Sequence, residues 1–314
     1  RRDGRRFSAK ETDSPVRDYN LPHSSTGRMP MNFTPSLADV LQSADILIAA
    51  AIAEDIGSGD VTSLAVFPPH AMARATIIAK EPGVVAGLPV AKAVFAKADP
   101  HVVFTPALTD GAHVKPMDVL VNLEGKLISL LSLERIVLNF LQHLSGIATL
   151  ASEFVRAVQG TKAVILDSRK TTPGYRALEK YAVRTGGAQN HRRGLYDMMM
   201  VKDNHIQAVK SLSLAVRRAR ESYPDLPLEV EVDSLEHLKE ALSLPVDRIL
   251  LDNMDLATIH QGVLIANNRV PLEVSGGVTL DNVRKIAETG VNFISVGALT
   301  HSAPGLDISL EITS

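Results

Sequence analysis

Residues 164–206 read VILDSRKTTPGYRALEKYAVRTGGAQNHRRGLYDMMMVKDNHI, and two short apolar runs within them, VILD and MMMV, have the pattern of buried strands. The stretch also gathers Arg169, Lys170, His191, Arg192, Arg193, Lys202 and His205. Cations collected at the ends of strands point to an anion site. Downstream, the same rhythm of apolar strand, polar turn and helix repeats. AVILD, YDMMMV, LEVEV, RILLD, LEVSGG and NFISVGA read as strands, and SLSLAVRRARESY, SLEHLKEAL and LDNVRKIAETG as amphipathic helices between them. Six strand–helix repeats imply a parallel sheet, usually curled into a barrel.

Upstream, a helical pattern from Ser36 to Asp55 precedes short apolar segments, ARATIIAK, GVVAGL, HVVFTPAL and DVLVNLEG, with a helix expected over Pro89 to Ala98. A long helix, Ser132 to Gln159, carries Gly146 in its middle and crosses between the modules. The closing GLDISLEI alternates like an edge strand and is expected to return to the first module. The division is therefore an N-terminal module over 31–140 joined by 303–314, and a barrel over 141–302. Residues 1–30, rich in Arg, Ser, Asp and Pro and without apolar periodicity, read as a disordered leader or a vector-derived extension.

The formal charge of the 314 residues is -2 and 45% are hydrophobic, so there is no global basic field to recruit nucleic acid or anionic membrane. With no cysteine, disulfides, thiolate metal sites and cysteine nucleophiles are excluded together, which suits a reducing, cytoplasmic setting. The apolar run from Ile46 to Ala53 falls short of the ~20 residues that span a bilayer. No HExxH, GxSxG or Walker motif occurs.

Barrel active sites lie at the carboxyl ends of the strands. Here those ends carry Arg169 and Lys170, then Lys202, Asp203, Asn204 and His205, then Glu231 and Asp233, then Asp252 and Asn253, then Ser275, Gly276 and Gly277, and lastly Gly297. In LEVEV, Glu229, Glu231 and Asp233 share one face. Glu231 is the site acid of choice; Glu229 reads more readily as solvated or paired with a helix lysine. Glu231 and Asp252, on neighbouring strands, suit Mg²⁺ bridged to substrate phosphates, and the glycine-bearing ends suit phosphate held by backbone N–H groups. Arg169, Arg192 and His191 look prepared for a carboxylated ligand, with Lys170 and Lys202 nearer phosphates. Arg184 and Arg193 read as rim charges, and His205 stands open between site and core.

The motifs EDIGSGDVT, LERIVLNFLQHLSGIAT, DSRKTTPGYRALEKYAV, GGAQNHRRGLYDMMMVKDNHI, LEVEV, ILLDN, EVSGGV and ISVGALTH resemble the quinolinate phosphoribosyltransferase family over nearly everything from residue 36 onward. Ser168, where the family commonly has Thr, and Ala188, where a third Gly is usual, depart from it without removing a charge. The resemblance implies an N-terminal α/β sandwich packed on an open-sided (β/α) barrel of the type II phosphoribosyltransferase kind, assembled as a homodimer or higher homo-oligomer. It implies transfer of phosphoribose from phosphoribosyl pyrophosphate to quinolinate with decarboxylation, using Mg²⁺ and no organic cofactor. Carried over, Ser168, Arg169, His191, Arg192 and Lys202 contact quinolinate, with Arg135 reaching in from the neighbouring subunit. Lys170, Asp203, His205, Glu231, Asp252, Ser275, Gly276, Gly277, Val296, Gly297 and Ala298 hold the phosphoribosyl donor. Glu231, Asp252, Lys170 and Lys202 are the candidate catalytic groups. A phosphate-binding barrel lyase or decarboxylase, and a non-catalytic metabolite binder, are the alternatives.

Overall fold

The computed structural model describes residues 35–313, so the leader read over residues 1–30 lies outside the described residues. Ser36 opens α1 (Leu37–Asp55) with a capping box, its side chain accepting from the Asp39 N–H while the Asp39 carboxylate accepts from the Ser36 N–H. Then come α2 (Val61–Val66), β1 (Met72–Ala79), β2 (Gly83–Val84), α3 (Leu88–Ala98), β3 (Val103–Pro106), β4 (His113–Val114) and β5 (Val119–Lys126). The helix α4 (Leu127–Ala157) begins at Leu127 rather than Ser132 because β5 runs straight into it, with Lys126 as its N-cap.

The repeating half follows as β6 (Val164–Leu166), α5 (Arg176–Thr185), β7 (Met199–Val201), α6 (Asp203–Val209), α7 (Leu212–Ser222) and β8 (Leu228–Val232). It continues with α8 (Leu235–Ala241), β9 (Arg248–Asp252), α9 (Leu256–Ala266), β10 (Leu272–Ser275), α10 (Leu280–Glu288), β11 (Phe293–Ser295), α11 (Ala298–His301) and β12 (Ile308–Thr313).

The first sheet is antiparallel in the order β12-β1-β5-β3, so the C-terminal strand does return to the N-terminal module, pairing Ile77 with Leu310. Ala75, Ile77, Leu120 and Leu123 are buried with the apolar faces of α3 and α4, while Arg74 and Glu124 pair in the open, the division expected of an antiparallel sheet with one wet side. By length and composition alone α4 could cross a membrane. In this fold its Leu133, Val137, Leu141, Leu144 and Ile147 are buried in the core shared by both halves. Gly146 is needed there: a Cβ on it would stand 1.9 Å from the Pro304 carbonyl oxygen, because the segment leading to β12 crosses the helix at that point.

The second sheet is parallel in the order β6-β11-β10-β9-β8-β7. Chain order would close such a barrel between β6 and β7, but those two strands are not paired. The chain between them is long and carries α5, and among the described residues it meets the β6 edge in one parallel bridge, Leu166 to Gln189. The barrel is therefore open on that side, and the open side is where His191 and Arg192 lie.

Candidate active site

The parallel strands present their carboxyl ends to one cavity of about 610 Å³. Arg169 and Lys170 enter it from the turn after β6, His191 and Arg192 from the open side, Lys202 from the end of β7, Glu231 from β8, Asp252 from β9, and Ser275, Gly276 and Gly277 from β10. Ser168 lines it too, as do Met200, Leu250, Glu273 and Ser295, which composition and spacing did not single out. The remaining site candidates lie elsewhere. Arg135 is exposed on α4, and His205 is exposed at the start of α6, where its Nδ1 accepts from the Lys202 N–H at 3.0 Å; it is not a core histidine. Asp203 lines an adjoining cavity of about 220 Å³ with Glu231, Asp233 and Asp252. Val296 is buried and donates its N–H to the Leu166 carbonyl at 2.9 Å. Gly297 passes so close to Lys170 that a Cβ would stand 3.1 Å from Lys170 Cδ, and Ala298 opens α11.

On the cationic wall, Arg192 is only 7% exposed; its Nη1 donates to the Met198 carbonyl at 3.1 Å and its Nη2 lies 3.7 Å from Met200 Sδ. Burial, and after it the positive charge of Arg169, pushes its pKa down. Arg169 Nε is itself buried without a hydrogen-bond partner in the protein. An unpaired buried donor costs about 1–3 kcal/mol. Two guanidiniums that repel one another, one with an unmet N–H, are relieved by an anion with oxygens for both. Of the expected rim charges, Arg184 is exposed, whereas Arg193 is half-buried and donates its N–H to Asp197 Oδ2 at 2.6 Å.

The floor is acidic and closed to water. Glu229 is fully buried, which corrects the reading of it as solvated or paired with a helix lysine: its Oε2 lies 3.0 Å from His191 Nε2. Glu273 Oε1 lies 3.3 Å from the same nitrogen and accepts from Ser295 Oγ, while its Oε2 takes Arg248 Nη1 at 2.7 Å. Arg248 in turn stacks 4.0 Å over Phe293. Burial works against a charge on His191, but Glu273 and Glu229 prevail and raise its pKa to about 10. Burial, then Glu273, raises Glu229. Against its own burial, His191 and Arg248 hold Glu273 down to about 2. His191 Nδ1 accepts from the Arg192 N–H at 2.7 Å, so the extra proton belongs to the cluster of imidazole and acids rather than to that nitrogen. The trio His191, Glu229 and Glu273 has the spacing of metal ligands, but Arg248 already supplies its cation.

The remaining wall combines acids with a glycine turn. Lys202 Nζ pairs with Glu231 Oε2, joining the cationic wall to the acids. Asp252 Oδ2 accepts from Asn253 Nδ2 at 2.8 Å. Asn253, Gly276 and Gly277 all adopt positive φ, of 52, 98 and 60°, and shape two adjacent turns at the cavity edge. Glu231 and Asp252 offer hard carboxylate oxygens on neighbouring strands facing one space, a donor set that fits Mg²⁺.

Asp167, Lys180 and Asn190 also escaped the reading of the sequence; all are buried, and Lys180 Nζ lies 2.5 Å from Asp167 Oδ1. One signal was present: Lys180 falls three residues after Ala177 and three before Val183, on the apolar stripe of α5.

Family profiles described as quinolinate phosphoribosyl transferase, N-terminal and C-terminal domains, match residues 60–145 and 147–311. The chain is 43% identical over 261 residues to a probable nicotinate-nucleotide pyrophosphorylase [carboxylating] of Bacillus subtilis, covering 83% of this chain and 90% of the relative. It is 44% identical over 273 residues to the corresponding Mycobacterium leprae protein, covering 84% and 95%. The crystal structure of NadC from Streptococcus pyogenes superposes with a TM-score of 0.84 at 41% identity, over 87% of this chain and 97% of that one. A pyrophosphorylase from Pyrococcus furiosus, at 17% identity and a TM-score of 0.68, shares the fold. Matched by both domains along most of its length, the chain belongs to the quinolinate phosphoribosyltransferase family.

Proposed function

We propose that this protein transfers phosphoribose from phosphoribosyl pyrophosphate to the ring nitrogen of quinolinate, with loss of the 2-carboxylate as CO₂, yielding nicotinate mononucleotide and pyrophosphate for NAD biosynthesis. One observation carries the reading most directly. Arg169 and Arg192 repel each other in one cavity, with a buried Nε on Arg169 unmet, which suits two adjacent carboxylates on one planar ring. Ser168 and Lys202 complete that half. His191 lines it with both ring nitrogens turned inward, to the Arg192 N–H and to the buried acids, so it serves as pocket wall rather than as a hydrogen-bond donor to the ring.

The donor half comprises Lys170, Asp203, His205, Glu231, Asp252, the turn from Ser275 to Gly277, and Val296 to Ala298. Departure of pyrophosphate leaves oxocarbenium character on the ribose, which Glu231 stabilises from a fixed position, while Lys170 and the glycine turn meet the leaving phosphates. Glu231 and Asp252 would hold Mg²⁺, which neutralises pyrophosphate charge when bound. Once alkylated, the ring nitrogen is a pyridinium whose positive charge stabilises the electron pair left at C2 as CO₂ departs, and a proton from solvent takes the place of the carboxylate there, so no organic cofactor is required. The exposed place of Arg135 on α4, outside its own chain's cavity, supports its donation to a neighbouring subunit of a homo-oligomer. A cytoplasmic site of action goes with the cysteine-free composition.

The test supplies the protein with phosphoribosyl pyrophosphate, Mg²⁺ and either quinolinate or nicotinate, and follows CO₂ and nucleotide formation. Quinolinate should be consumed and nicotinate almost untouched, because one missing carboxylate leaves a buried guanidinium unpaired. Equal use of both acids, or binding without turnover, refutes the proposal.

A further inference from the structure

Because the barrel is open between β6 and β7, no ladder beyond the Gln189 bridge holds residues 190–192 against the end of β6. Buried polar contacts take its place. Asp167, the first residue after β6, accepts Lys180 Nζ on Oδ1 at 2.5 Å, the His191 N–H on Oδ1 at 2.8 Å, and Asn190 Nδ2 on Oδ2 at 2.7 Å. Lys180 Nζ also donates to the His191 carbonyl at 3.0 Å, and Asn190 Nδ2 to the Lys180 carbonyl at 2.9 Å. Asp167 and Lys180 are 0% exposed and Asn190 is 2% exposed.

Arg169 follows Asp167 by two positions and Arg192 follows Asn190 by two, so this one network ties together the two segments that carry the guanidiniums. We infer that Asp167, Lys180 and Asn190 form a latch across the open side of the barrel and are positioning residues that set the spacing of Arg169 and Arg192, and hence the fit to a pyridine dicarboxylate. The inference rests on the function proposed above.

The latch is anchored from behind. Three consecutive side chains of α5 reach three different bodies: Glu179 pairs with His143 of α4 at 3.0 Å, Lys180 enters the latch, and Tyr181 Oη donates to Asp110 Oδ2 at 2.6 Å. Asp110 in turn accepts the N–H groups of Gly87 and Leu88 at the start of α3. Lys180 therefore cannot drift with its helix. Nor is the pair explained as a source of stability. Burial raises Asp167 and lowers Lys180, disfavouring both charges, and a buried ion pair is often no more stable than an apolar replacement. What it supplies is fixed direction, since one carboxylate holds three donors from two segments.

The experiment compares the wild type with Asn190→Ala and with the double variant Asp167→Asn/Lys180→Met, which removes both charges together. Folding is verified by circular dichroism and thermal melting, and steady-state constants are measured for both substrates. A misplacement on the order of 1 Å can cost up to ~100-fold, so KM for quinolinate should rise about ten-fold or more, and clearly more than KM for phosphoribosyl pyrophosphate, whose Lys170 shares the turn after β6. Calorimetric affinity for quinolinate alone should fall in parallel. Folded variants in which both KM values are unchanged, or move together, overturn the latch and leave the proposed function standing. A wild-type protein that releases no CO₂ from quinolinate overturns both. If the double variant does not fold, Asn190→Ala, which keeps the ion pair, decides the case.

Discussion

Substituting Gly276 by alanine tests the donor half of the site. Gly276 has φ of +98°, and an ideal Cβ there would stand 2.1 Å from Asn253 Oδ1, 2.6 Å from its Cγ and 3.1 Å from its backbone nitrogen. The positive φ costs alanine about 1–2 kcal/mol. The Asn253 side chain must also swing away and give up its 2.8 Å bond to Asp252 Oδ2. A hydrogen bond to a charged group contributes ~1.5–3 kcal/mol, and at this exposed position the lower figure applies. The fall in stability should therefore be about 2.5–3.5 kcal/mol, measured by urea denaturation. Function should suffer more. Asp252 loses the contact that orients it and the turn is displaced, so KM for phosphoribosyl pyrophosphate should rise about ten-fold or more, with KM for quinolinate within about two-fold. Gly277→Ala is the control, since its φ of +60° brings the strain but its Cβ meets nothing within 4 Å. Initial rates at varied donor concentration read both. A folded Gly276→Ala protein with an unchanged donor KM, or one no worse than Gly277→Ala, refutes the role given to Asn253 and Asp252.

Replacing Arg169 by lysine keeps the charge and loses the planar fork. One lost charge-assisted bond of ~1.5–3 kcal/mol predicts a fall of about 10- to 150-fold in kcat/KM for quinolinate, read from initial rates at varied quinolinate. Gly146→Ala places a methyl group against the Pro304 carbonyl and should lower stability by about 1–3 kcal/mol or more in thermal melting, through overpacking alone. The proton on the His191 cluster gives a pH dependence. A pKa raised from 6.5 to about 10 contributes stability that is full below pH 6.5 and lost as pH climbs through about 10. Denaturation across that window should show the decline, and Glu229→Gln, which removes one of the attracting carboxylates, should make it shallower; an equally steep decline in the variant would count against the cluster.

Much of the fold was legible in local pattern. Strand period and turn residues placed all six barrel strands, and charges at their ends placed Arg169, Lys170, Lys202, Glu231 and Asp252 around one cavity. Helix limits were less legible: the start of α4 depends on β5 running into it without a loop, and nothing in the sequence of Lys126 and Leu127 marks that junction. GVVAGL yielded only the two residues of β2, since just Gly83 and Val84 find partners in β4.

The sequence by itself determined which side chains stand at strand ends, because side-chain direction along a strand follows from position alone. The tertiary structure decided which of them are paired, buried or left wanting. Glu229 and Glu231 alternate identically in LEVEV, yet one is sealed beneath His191 and the other faces Lys202 at the mouth, a difference set by depth in the barrel. Lys180 shows in the sequence only as a lysine on the apolar stripe of α5, and the gap between β6 and β7 gives it Asp167 as a partner. Pairing across that gap is a contact between distant segments, and local periodicity carries no record of it.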